Sequence, residues 1–274
     1  NPSTVEIGLF AELDNVPATI RDIGLLAVDI EASKSHAVGS LVGYSNFGSI
    51  QNSYATGSVS GGDFVGGLVG YGLAEPISNS HADVAVSGSG YVGGLVGLQD
   101  SGCFTCGSII ESYSTGTISG GDGATVGGLV GLNHGGYIAG AYATGAVSGG
   151  SNAFVGGLAG ANDIDTDAGY DPPIINEAYS TGFVSGGTGS LIGGLIGNDL
   201  AQTGTTNSYW DLDTSGISDP SRGAGNIAND PGITGLTTEQ FTSGLPAGFD
   251  KKVWKEKPTI NGGYPYLIAN PPPQ

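Results

Sequence analysis

The chain has 274 residues, enough for one large domain or an elongated array with a continuous core, and its 53 glycines follow no Gly-X-Y period, which excludes collagen. Seven basic against 25 acidic residues give a formal charge of −18. That balance excludes binding to nucleic acid or anionic membranes through phosphate, which takes clusters of Lys and Arg.

An apolar content of 38% sets the chain apart from disordered polar sequence. No apolar run approaches the ~20 residues needed for a membrane-spanning helix. The chain contains no Met, so residue 1 is expected not to be a translation start and the chain to be processed or excised from a longer protein. No signal peptide is visible.

From the N-terminus, IGLF at 7, TIRDIGL at 19 and AVDIEA at 27 read as one diverged coil, the segment 1–37. A pair of motifs then recurs through 38–218. The first, VGGLVG or a variant, begins at Val38, Val65, Val92, Val126, Val155 and Ile192, with spacings of 27, 27, 34, 29 and 37 residues. The second follows as SYATGSVSG at 53, SHADVAVSG at 80, SYSTGTISG at 112, AYATGAVSG at 141 and AYSTGFVSG at 178, with a degenerate SYWDLDTSG at 208. Length varies only between motifs, as expected of fixed strands joined by variable loops. Glycine pairs oppose helix at ~1 kcal/mol each, while β-branched residues recur at the position of Val59 and small ones at that of Ala55. A two-residue period points Ala55, Gly57 and Val59 inward and Tyr54, Thr56 and Ser58 outward.

Such units bury their apolar faces only by stacking. The fold expected is all-β, a parallel β-helix or β-solenoid of about seven coils, ~30–35 Å long at ~4.8 Å per coil. Gly66-Gly67 is expected to form a corner that turns Val65 and Leu68 to the same side through left-handed glycine geometry. A phosphate-cradling reading fails because no helix follows any copy.

Between copies lie two distinctive insertions. Cys103 and Cys106, as CFTC among glycine and serine, read as a local disulfide suited to an oxidising compartment. DIDTDAGYD places Asp163, Asp165, Asp167 and Asp171 with D-x-D-x-D spacing, the way a short loop wraps oxygen ligands around calcium. It departs from the EF-hand at Ala168 and Ile174, and a solvated acidic loop is the other reading. Calcium is the one cofactor suggested.

The outward row Tyr54, His81, Tyr113, Tyr142, Tyr179 and Tyr209 is expected to stack as an aromatic ladder, flanked by Thr56, Thr115, Thr144 and Thr181. It could bind sugar rings or order water; the plainer reading is cross-coil stabilisation. Ice binding is opposed by the irregular neighbouring rank Ser58, Ala85, Thr117, Ala146, Phe183 and Asp213.

The tail, 219–274, reads as a cap. Thr237 to Phe241 should open a short helix with Thr237 as N-cap and Gln240 completing a capping box, ended by Gly244 and Pro246. Trp210, Phe241, Phe249, Trp254, Tyr264 and Tyr266 should form a small core over the last coil.

The GGLVG core followed by Ser-Tyr-Ala-Thr-Gly resembles the GLUG-motif repeats of secreted bacterial surface proteins, including filamentous-haemagglutinin-like exoproteins and adhesins. The tail NSYWDLDTSG, GLTTEQF, LPAGFDKKVW and INGGYPYL is similar to the closing unit of such arrays. The resemblance implies a bacterial secreted or cell-surface protein. The histidines His36, His81 and His134 have no Cys or Ser partner suggested by spacing, and no Lys or Arg lies in the coils between 37 and 200. The expectation is therefore a non-catalytic adhesin or surface-filament segment, whose partner is a host or environmental surface, a glycan, or another copy of itself. A carbohydrate-binding or polysaccharide-cleaving β-helix is the alternative.

Overall fold

The computed structural model describes residues 5–14, 18–102, 107–165 and 172–273. Three parallel sheets run the length of a β-solenoid, and every coil contributes to each. The first holds seven strands that end in the glycine corner, among them Ala37–Gly39, Phe64–Gly66 and Tyr91–Gly93. The second holds seven that leave it, among them Val42–Asn46, Val69–Leu73 and Val96–Asp100. The third is a sixteen-stranded sheet in which each coil lays a short strand, such as Pro76–Ser78, and then the second motif, such as His81–Gly88.

Equivalent residues stack on one another throughout. Val65 pairs with Val38 and Val92, and Val69 with Val42 and Val96. The row expected at Val59 runs Ile30, Val59, Val86, Ile118, Val147 and Val184. Ala55 and Val59 are buried as the two-residue period predicts. Gly57 is not: it is exposed, with φ of 128°, opposite the bulge between Leu25 and Val28.

Seven coils are followed by a partial eighth inside the 219–274 segment. There Ala224 bridges to Ile196, and Ile233–Leu236 pairs with Ser208–Asp211. The first coil, stacked on one side only, leaves Leu9, Phe10 and Leu26 exposed.

The Gly-Gly corner joins the first sheet to the second and turns Val65 and Leu68 into the same core, both fully buried. Its physical basis differs from the expectation. None of the corner glycines has positive φ; what they supply is close approach. A Cβ on Gly66 would run into the Val69 carbonyl oxygen, and one on Gly67 into the Gly94 carbonyl and the Ala82 methyl. The second glycine of each corner therefore packs against the small position of the third sheet: Gly67 on Ala82, Gly94 on Ser114, Gly128 on Ala143, Gly157 on Ser180. Both positions must stay small because two backbones meet across a thin core. In the last repeat the partner becomes Trp210, whose ring lies on Gly194 and fills the end of the interior.

The tail forms its helix, Thr238–Thr242, with both halves of the Thr237/Gln240 capping box in place. It then makes a short antiparallel pair, Trp254–Lys255 with Tyr266–Leu267. The aromatic cluster does not sit over the last coil. Phe241, Phe249, Trp254 and Leu267 lie along the side of the solenoid and bury Tyr113, Tyr142, Tyr179 and Tyr209 in a second core, while Trp210 belongs to the interior.

Candidate functional site

The outer row of the second motif stacks as expected from Tyr54 to Tyr179, while Tyr209, expected as the last rung, meets Phe241 and Phe249 edge-on instead. Ring centroids are 5.1 Å apart for Tyr54–His81, 4.7 Å for His81–Tyr113, 4.6 Å for Tyr113–Tyr142 and 5.1 Å for Tyr142–Tyr179, and neighbouring planes lie within 6°. Parallel register forces this, because each aromatic sits directly above its copy one coil away. The ring faces are consequently occupied by one another. The structure also corrects the reading of this row as outward: Tyr113, Tyr142 and Tyr179 are at most 1% exposed beneath the cap. Of the flanking threonines, Thr56, Thr115 and Thr144 are half-buried and Thr181 is buried.

The tail is tied to the ladder rung by rung. Tyr209 Oη donates to the Ala247 carbonyl at 2.6 Å, and Tyr179 Oη donates to the Pro265 carbonyl while accepting from Asn261 Nδ2 at 2.8 Å. Asn270 donates through Nδ2 to the Ser80 and Glu111 carbonyls, and its Oδ1 lies 3.1 Å from His81 Nδ1. Burial lowers the His81 pKa and keeps the ring neutral. The chain thus runs back along the rod as a strap that ends near the third coil.

Beyond the strap the ladder emerges. Leu26, Tyr54, Thr56, His81, Asp83, Tyr113, Thr115 and Pro273 line a cleft of about 380 Å³. Its wall carries aromatic edges, an aliphatic side chain, two threonine hydroxyls and one carboxylate, which suits a neutral ligand with both apolar and hydroxyl surface.

A second feature lies where the second sheet ends. Of the acidic insertion, Asp163 and Asp165 are described; Asp167 and Asp171, like Cys103 and Cys106, lie outside the described residues. Asp163 closes its strand in register with His134, which is in register with Asp100. Asp165, 2% exposed, accepts from Ser101 Oγ at 2.8 Å. His134 Nδ1 stands 3.6 Å from Asp100 Oδ1, an ion pair when the ring is protonated. Asp100 raises the His134 pKa, against desolvation. Tyr71 Oη donates to Asp100 Oδ2 at 3.1 Å; burial first, and then this carboxylate, raises the tyrosine's pKa. Spacing alone left His134 without a partner and did not single out Asp100. The signal was available in the register: both occupy the last position of a second-sheet strand.

One position inward, the row Ser45, Gly72, Gln99, Asn133, Asn162 and Asp199 is buried. Asn133 Nδ2 donates to Asn162 Oδ1 at 2.9 Å, and Asn162 Nδ2 to Asp199 Oδ1 at 3.1 Å. The gap at Gly72 is filled by Glu75, fully buried, whose Oε2 would lie 3.0 Å from a Cβ at Gly72. Burial pushes the Glu75 carboxyl up to about 8, so it is protonated at neutral pH.

The family model described as the GLUG motif matches residues 34–60 and 88–119. The chain carries GLUG motifs. Each match spans one glycine corner and one ladder strand, so a GLUG motif corresponds to most of one solenoid coil. No curated protein matches the chain. Among solved structures, a Bacteroides ovatus protein described as a "putative immunoglobulin A1 protease" aligns at 16% identity over 94% of this chain and 76% of that one, with a TM-score of 0.48.

Proposed function

We propose that the chain is a non-catalytic segment of an extracellular bacterial adhesin or surface filament, a rigid rod that holds a glycan-binding cleft away from the cell. The observation that carries the reading is the cleft at Tyr54, His81 and Asp83. It is the place where the aromatic ladder leaves the strap and meets solvent, with hydroxyl and carboxylate groups beside apolar wall. The GLUG motifs and the acidic, Lys-poor surface support an exported, soluble rod. The stacked faces favour edge and hydroxyl contacts over flat stacking on sugar rings.

The test is a glycan array probed with the labelled chain, together with turnover on acidic polysaccharides. Binding that Asp83→Ala and Tyr54→Ala weaken at least tenfold, without turnover, is the expected outcome. Cleavage of any polysaccharide refutes the non-catalytic reading. Binding untouched by both substitutions, or no binding, refutes the cleft.

A further inference from the structure

The cleft at Tyr54, His81 and Asp83 is followed on the same strands by a second hollow. Two residues further along, Asp29, Glu31, Ser58, Ser60, Ala85 and Ser87, with hydroxyls of the fourth coil, line a groove of about 250 Å³. Both hollows span the first four coils, since Thr56 stands in register with Asp83, and Ser58 with Asp29 and Ala85. Between them lie Gly57, Val84 and Gly116. The glycines carry no side chain and Val84 is fully buried, so on these coils no side chain rises between cleft and groove. Leu26, 71% exposed at the first-coil bulge, forms a side wall of the cleft. From Tyr54 to Ser60 the strand covers roughly 20 Å at about 3.3 Å per residue, longer than two hexose rings end to end.

The repeat departs from itself at this place. The third coil carries His81 where its neighbours carry Tyr54 and Tyr113, Asp83 where Thr56 and Thr115 stand, and Ala85 between Ser58 and Thr117. Cross-coil stacking is served by repeating one side chain. Exposed, altered residues at the middle of both hollows, Asp83 and Ala85, point instead to contact with something outside the coils. The charge then selects among ligands. Asp29, Glu31 and Asp83 are exposed, and among the described residues no Lys or Arg lines either hollow. Carboxylates accept charge-assisted hydrogen bonds from sugar hydroxyls, and serine and threonine hydroxyls both donate and accept. A carboxylate or sulfate on the ligand would meet three like charges. Ser58 Oγ donates to Asp29 Oδ1 at 3.1 Å and fixes that carboxylate at the groove.

We propose that cleft and groove form one track for a linear oligosaccharide of three or more sugars that carries no carboxylate or sulfate, laid along the strands across the first four coils. The cleft end supplies apolar wall, Leu26, Pro273 and the ring edges, for the C–H face of one sugar. The groove end supplies hydroxyls and the Asp29 and Glu31 carboxylates for the hydroxyl or amino groups of the next sugars. The proposal rests on the glycan-binding reading of the cleft and adds to it the ligand's length and charge.

The test is an array of xylo-, cello-, malto-, manno- and chito-oligosaccharides of two to six sugars, with deacetylated chito-oligosaccharides, oligogalacturonates and sulfated counterparts, followed by calorimetry on the series that binds. Affinity should rise at least tenfold from disaccharide to tetrasaccharide, and the uronate and sulfated series should bind at least tenfold more weakly than uncharged ones of equal length. Ala85→Phe closes the groove with a residue that the repeat already carries at this position, as the 54%-exposed Phe183. Its Tm should stay within ~3 °C of wild type. It should weaken the tetrasaccharide at least tenfold and leave the disaccharide within twofold, whereas Asp83→Ala weakens both. Should Ala85→Phe fail to fold, Glu31→Gln, at an exposed side chain, decides by the same split with at least a threefold loss. Affinity that does not grow with length, that ignores both groove substitutions, or that is as high for uronates or sulfated sugars overturns the track and leaves the cleft standing. Absence of binding at every length overturns both.

Discussion

Replacing Glu75 by glutamine should stabilise the protein at neutral pH, by an amount that grows with pH. The carboxyl is fully buried, and burial raises its pKa from 4.5 to about 8, outweighing the Ser45 hydroxyl, which pulls the other way. Below pH 4.5 the group is protonated in both folded and unfolded chains and costs nothing through ionisation. Above that value the unfolded chain loses the proton while the folded chain keeps it. Stability therefore falls with rising pH by about 1.4 kcal/mol per unit until the folded group ionises near pH 8. At pH 7 the loss amounts to about 3 kcal/mol, the product of that slope and the distance from 4.5. Glutamine has the same shape and cannot ionise, and its amide can donate to the buried Ser45 Oγ or Gln99 Oε1. Urea unfolding followed by tryptophan fluorescence, at pH 4.5, 6 and 7.5, measures the difference. The variant should match the wild type at pH 4.5 and exceed it progressively above. A pH-independent difference, or a variant less stable at pH 7.5, would refute the protonated, buried carboxyl.

Further substitutions probe the corner and the ladder. Gly67→Ala should cost roughly 2–4 kcal/mol by denaturant unfolding, because the new methyl meets the Gly94 carbonyl and the Ala82 methyl. Gly121→Ala, whose nearest neighbour would be 3.8 Å away, should be neutral within ~0.5 kcal/mol. Tyr142→Phe should match or exceed wild-type stability, since it removes a buried hydroxyl that lacks a partner, whereas Tyr142→Ala should lose about 3–5 kcal/mol and expose the second core to a hydrophobic dye. Tyr179→Phe differs: it breaks bonds to Pro265 and Asn261 and should cost ~1 kcal/mol in the same unfolding assay.

The sequence by itself determined the coil. Val59, Val86 and Ile118 recur at one place in a repeated string, and stacking those copies in register is the one way each can bury its face. The glycine corner and the Thr237–Gln240 capping box were legible for a related reason: their cause lies within a few residues of chain. Why the corner needs glycine was not legible, because the obstructing atoms on Gly94 and Ala82 belong to the next coil. Tertiary structure alone decided where the tail goes. Its aromatics could have covered the last coil, but Trp210 already fills that interior, and the ladder offers a longer apolar face that Tyr179 and His81 fasten through Pro265 and Asn270. The same holds for Glu75 in the space left by Gly72, and for Asp100, His134 and Asp165. Insertions of unequal length separate these last three in sequence, and only the parallel register, with one rise per coil, brings them to one place.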